Sequence, residues 1–236
     1  MANPLFKADS FIIREGAVGE EMTLDGTINK TFILLALCVL GAAFTWSQPA
    51  LAALALPAIV GASVLGFVAI FRKQASPWIA PLYAVLEGVA LGAISLGFER
   101  AFPGIVRHAA LLTFGLLGVL LVAYKSRLVT VGRSFRAGVG AATAAICVAY
   151  LVDLVLMFFG RRVPLIHETG LLGIGFSLVV TGVAAANLLL DFDFIENGVE
   201  GHSPKYMEWY AAFSLLVTLV WVYMEILRLL GKLQKR

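Results

Sequence analysis

The sequence predicts an all-α membrane protein, a bundle of seven transmembrane helices. Three observations carry that expectation. The 236 residues are 60% hydrophobic and 14% charged, against roughly 45–50% and about 25% in soluble domains, and mean hydropathy is +0.91. Seven dominantly apolar stretches recur along the chain, each near the ~20 residues that cross a bilayer core. The connections between them are short and polar, and several contain proline. So much apolar surface cannot hide inside a soluble fold of this size, which excludes a soluble enzyme, a disordered chain and a nucleic-acid module. The net charge of +3 is weak and scattered, unlike a phosphate-binding face.

The first stretch, Thr31–Trp46, is short, and Leu24–Lys30 extends it if Thr23 or Asp25 caps the helix. Ser47–Pro49 turns into the second, Ala50–Phe71. Polar Arg72–Pro77 leads to the third, Trp78–Phe98, and Glu99–Gly104 to the fourth, Ile105–Tyr124. The fifth is Ala137–Phe159. Gly160–Thr169 precedes the sixth, Gly170–Leu190, and the seventh is Tyr210–Leu230. Asp191–Trp209 is the longest and most acidic connection between stretches, with Asp191, Asp193, Glu196, Glu200 and Glu208. Apolar residues surround each stretch instead of forming one stripe, as lipid on all sides requires.

Residues 1–30 are rich in charge and lack a secretory apolar core, so they read as a cytoplasmic N-terminal segment. Residues 31–236 read as one integral membrane domain. Gly88 with Gly92, and Gly182 with Ala186, have the small-residue spacing that lets helix backbones approach in lipid. Cys38 and Cys147 sit in apolar runs and read as buried hydrophobes.

Loop charge predicts orientation. With the N-terminus inside, that side carries Lys7, Arg14, Lys30, Arg72, Lys73, Lys125, Arg127, Arg133, Arg136 and Lys205; the other carries Arg100, Arg107, Arg161 and Arg162. The C-terminal Arg228, Lys232, Lys235 and Arg236 oppose this bias if all seven stretches cross, and fit it if one is re-entrant.

Acids within apolar stretches are the candidate functional residues, because a charge at the bilayer centre costs about 2.5–3.5 kcal/mol on insertion scales and is usually paired or on an ion path. Glu87, Asp153, Asp191 with Asp193, and Glu225 qualify. Each also has an ordinary reading. Asp153 lies near the interface, Glu225 stands three residues before Arg228 as an ion pair would, and Asp191 with Asp193 opens a polar loop. Glu87 has no basic neighbour in sequence. Intramembrane protease, retinal-protein and phosphate-loop patterns are missing: the three histidines fall at stretch ends or in loops, and Lys232 lies beyond the last apolar core. A channel, transporter or regulator remains, not an enzyme, and no cofactor is expected.

Several segments in order, MTLDGTINKTFILL (Met22–Leu35), PLYAVLEGVALGAIS (Pro81–Ser95), AANLLLDFDFIE (Ala185–Glu196), PKYMEWYAAF (Pro204–Phe213) and VYMEILRLL (Val222–Leu230), resemble the transmembrane Bax inhibitor motif family, in particular its bacterial branch. The resemblance implies seven helices with the last one central, and a pH-sensitive calcium leak in the bacterial inner membrane. It implies a pH-sensing carboxylate pair, Asp191 (or Asp193) with Glu225, and an arginine latch, Arg72. Glu87 fits a glutamate of the third helix and would line the cation path. Asp191 and Glu225 are then the candidate ligands for passing calcium. Two carboxylates brought together share a proton and titrate as a unit. Losing that proton would push the sixth and seventh helices apart. The partners so implied are the bilayer, calcium or protons. The rival expectation is a non-conducting regulator that binds other membrane proteins, such as a membrane-bound AAA protease, through its N-terminal residues. A third is a proton-coupled transporter with saturable flux. Against the pattern, the seventh-helix acid is glutamate and the connection between the two acids is long.

Overall fold

A computed structural model describes residues 20–235. The chain forms helices α1 (Leu24–Ser47), α2 (Ala55–Phe71), α3 (Ser76–Ala101), α4 (Ile105–Lys125), α5 (Arg133–Phe158), the one-turn α6 (Pro164–His167), α7 (Leu171–Glu200) and α8 (Met207–Gln234). Seven helical segments are long and apolar enough to cross a membrane, so the predicted sixth and seventh stretches are α7 and α8. Large apolar side chains such as Phe32, Leu56, Phe67, Trp78, Leu121 and Phe158 point outward, the arrangement of a bundle solvated by lipid.

The boundary placed at residue 30 falls inside α1. Thr23 caps that helix by accepting a hydrogen bond from the Gly26 N–H at 3.0 Å. Just before it, Met22 N–H donates to the Ser203 carbonyl at 2.7 Å and Lys205 N–H to the Glu20 carbonyl at 2.9 Å. Residues 20–23 are thus stapled to the α7–α8 connection. Of the predicted N-terminal segment, residues 1–19 lie outside the described residues.

A larger departure concerns α7. Asp191–Glu200 was expected as polar loop, yet the helix continues through it. Three of its four acids are engaged by a neighbour: Asp191 by Ser214 at 2.6 Å, Asp193 by Arg136 at 2.7 Å, and Glu196 by Arg127 and the Tyr124 hydroxyl. Partnered acids no longer break a helix, and the turn waits for Gly201, His202 and Pro204.

α8 packs against α1, α3, α4 and α7, and Ala211, Leu216, Val222 and Leu227 on it are buried. The last helix is therefore the hub. Its start meets the start of α1 through Glu208, and its end meets the start of α7 through Lys232. Because the start of α8 meets the start of α1, the C-terminal end of this 28-residue helix lies at the other end of the bundle. Of the small-residue pairs, Gly88 and Gly92 lie against the backbone of α1 at Cys38 and Ala42, while Gly182 faces open space. Cys38 is buried, whereas Cys147 is exposed on the outer face of α5.

Candidate functional site

α2, α3 and α8 line an open cavity of about 670 Å³. Its α3 wall carries Glu87, with Tyr83 one turn earlier, and its α8 wall carries Ser214, Val217 and Thr218. The rest of the lining is apolar, including Ile59, Phe67 and Phe213. Glu87 is placed here by helical spacing, since Tyr83, Glu87, Ala90, Leu91 and Ile94 share one face of α3.

Behind the α8 wall stands Asp191, 7% exposed. The Ser214 hydroxyl donates to its Oδ1 at 2.6 Å, and Thr218 flanks the same carboxyl. Its Oδ2 is buried without a hydrogen-bond partner among the described residues. Ser214 therefore touches the cavity on one side and the acid on the other. A buried polar atom left unpaired costs about 1–3 kcal/mol, so a proton or a cation at Oδ2 changes the local balance more than at any surface carboxylate.

Glu225 belongs to a different cluster. It is 1% exposed; its Oε1 accepts from the Tyr150 hydroxyl of α5 at 2.8 Å and from Arg228 Nη1 at 3.0 Å, while Arg228 Nη1 also donates to the Tyr150 hydroxyl oxygen at 2.5 Å. Glu225 Oε2 is the second unpartnered buried oxygen among the described residues. Asp191 lies opposite Ser214, eleven residues before Glu225 on α8, or roughly 16 Å along the axis at ~1.5 Å per residue. The structure does not bring Asp191 and Glu225 together, because the α7–α8 register sets Asp191 beside the first half of α8. The shared-proton pair expected from sequence is replaced by two separate acids, each with its own partners.

Asp193 is ion-paired to Arg136 of α5. Arg72 is exposed at the end of α2, and no carboxylate pairs with it among the described residues. The latch geometry is therefore not present among the described residues: Arg72 is the exposed C-cap of α2 and lines the pocket at that helix end. No group of three or more His, Cys, Asp or Glu side chains converges among the described residues, so Asp191 and Glu225 do not form a calcium cage of the six to eight oxygens that the ion prefers. Asp153 takes the structural role: its Oδ1 accepts from Val163 N–H at 2.8 Å and its Oδ2 pairs with His167 at 2.7 Å, tying down the α5–α7 connection.

Three polar groups take structural roles that no sequence pattern assigned to them. Glu208 is fully buried and accepts from Thr23 N–H and the Thr23 hydroxyl, both at 2.8 Å, and pairs with Lys30. Lys232 is buried and donates to the Gly173 carbonyl at 2.9 Å and Ser177 Oγ at 2.8 Å. Tyr150 completes a row on α5 with Arg136 and Thr143, which contact Asp193, Asn187 and Glu225 in turn. The signal for that row was available, for polar residues recurring every seven positions share a helix face.

A seven-helix membrane bundle with a central last helix and isolated buried acids defines a polytopic α-helical membrane protein. The family model described as Bax inhibitor 1 like matches residues 3–235, and the chain belongs to that family. No curated protein and no solved structure matched the chain significantly.

Proposed function

We propose that the protein is a passive, pH-sensitive cation leak, with calcium as the leading candidate ion, and that Asp191 is its sensor. The observation that carries this reading is the contact chain from Asp191 through Ser214 to the wall of a cavity also lined by Glu87. Ionised Asp191 adds negative charge behind the α8 wall, and a cation in the cavity responds to that charge across a single hydroxyl. Protonated Asp191 removes the attraction. The leak therefore rises as pH rises through the titration of Asp191. Glu87 supplies oxygen ligands on the opposite wall, as a hard cation requires. Glu225, engaged by Arg228 and Tyr150, holds α5 to α8 instead of gating.

Orientation in this reading follows the basic loops. The ends of α2, α4 and α7 and the starts of α1, α5 and α8 lie together, linked by Lys73 over Tyr210, Arg136 with Asp193, Arg127 with Glu196 and Lys30 with Glu208. Lys and Arg gathered at that end support a cytoplasmic placement in a bacterial inner membrane. Purified protein in liposomes, loaded with a calcium dye, tests the reading: flux should rise with pH, and Glu87→Gln should lower it at every pH. A wild-type protein that passes no cation at any pH would transfer the role to a non-conducting regulator of other membrane proteins, such as a membrane-bound protease.

A further inference from the structure

A pocket of different chemistry adjoins the cavity. At the end of α2 a second pocket of about 680 Å³ is lined by Ile70, Phe71, Arg72, Lys73, Gln74, Ala75 and Tyr206. The two spaces adjoin. Ile70 lines both, and Lys73 of the outer pocket stands 5.1 Å over the ring of Tyr210, which lines the inner one. Among the described residues no carboxylate pairs with Arg72 or Lys73, so two cations face the mouth of an apolar groove without a protein counter-charge.

The groove has a definite depth. Its α2 lining runs from Ile70 back to Ile59 and its α8 lining from Tyr210 to Met224. At ~1.5 Å per residue these spans are about 16 and 21 Å, close to the roughly 15 Å of one leaflet, half of a ~30 Å hydrocarbon core. Its volume lies within the roughly 300–1,000 Å³ of a small-molecule site. A cationic, tyrosine-flanked head pocket at the interface above an apolar slot one leaflet deep matches an anionic phospholipid. The phosphate meets Arg72 and Lys73, and one acyl chain lies along Ile59, Phe67, Phe213 and Val217.

We propose that this paired pocket and groove is a binding site for an anionic phospholipid. Arginine and lysine hold the headgroup phosphate by charge, and Tyr206 adds an amphipathic side chain at the interface.

Native mass spectrometry of the full chain in detergent, titrated with phosphatidylglycerol and with phosphatidylcholine, tests the site. A basic residue beside anionic lipid contributes about fivefold in affinity, so the pair favours phosphatidylglycerol by roughly thirtyfold. The double substitution Arg72→Gln/Lys73→Gln should erase that preference. Lys125→Gln/Arg133→Gln, at the same end but away from the groove, should leave it. Gly66→Leu tests the slot: a Cβ at Gly66 sits 3.6 Å from Tyr83 and 3.9 Å from Phe213, so a side chain is admitted and extends into the acyl path. It should weaken phosphatidylglycerol binding with the melting temperature retained. Equal binding of the two lipids by the wild type overturns the site, as does a preference that survives the Arg72/Lys73 change. Unaltered binding by a folded Gly66→Leu protein overturns the slot, and displacement of the lipid by inorganic phosphate alone assigns the pocket to free anions.

Discussion

Gly88→Ala isolates the packing of α1 on α3, the contact that frames one side of the α8 hub. A Cβ built on Gly88 stands 2.8 Å from the Cys38 carbonyl carbon and 2.9 Å from its Cα, closer still to the carbonyl oxygen. Carbon atoms meet at about 3.5–4.0 Å and the carbonyl oxygen stands nearer still, so α1 must retreat by at least about 1 Å. Backbone cannot swing aside as a flexible side chain can, and overpacking of this kind costs about 1–3 kcal/mol. Alanine recovers about 1 kcal/mol of helix propensity, leaving a net loss of up to about 2 kcal/mol. At roughly 2–4 °C per kcal/mol for a chain of this size, the melting midpoint in detergent falls by up to about 8 °C. Gly182→Ala is the matched control, because nothing lies within 4 Å of its Cβ position; it should melt at or above the wild type. Equal midpoints for the two variants would refute the close-approach reasoning.

Other perturbations bear on separate parts of the bundle. Glu208→Ala leaves the Thr23 donors and partly buried Lys30 without their acceptor, so it should destabilise by about 1–3 kcal/mol, whereas Thr23→Ala should cost about 1 kcal/mol as a lost helix cap; chemical denaturation ranks the two. Tyr150→Phe removes the hydrogen bonds to Glu225 and Arg228, and hydrogen exchange in α5 should accelerate while that in α8 stays slow. Single cysteines at 74 and 128 should label from one side of the membrane and one at 161 from the other; labelling of 74 and 128 from opposite sides contradicts the seven-span fold.

The seven spans were legible because lipid imposes one demand on every helix, an apolar exterior, and composition reports it directly. The start of α1 was legible too, since Thr23 caps it as the N-cap preference dictates. The end of α7 was not. Asp191, Asp193 and Glu196 look like loop residues until Ser214, Arg136, Arg127 and Tyr124 are seen to meet them, and those partners lie between 23 and 72 residues away. Glu225 shows the converse. Its ion pair with Arg228 was readable from i,i+3 spacing, but the family resemblance drew it toward Asp191, and only the α7–α8 register separates them. The cavity itself needs three helices, and no local pattern on α2, α3 or α8 announces it.

Asp191 and Glu225 make opposite predictions in one assay, calcium flux into liposomes measured from acid to alkaline pH. If Asp191 alone senses the proton beside the cavity, Asp191→Asn, which keeps the size and the hydrogen bond from Ser214, should flatten the pH profile. Glu225→Gln should retain the wild-type slope, because that acid sits roughly 16 Å away along α8 in its own cluster. A pH profile that survives in Asp191→Asn, or that is lost equally in both variants, would contradict the assignment of Asp191 as the single sensor.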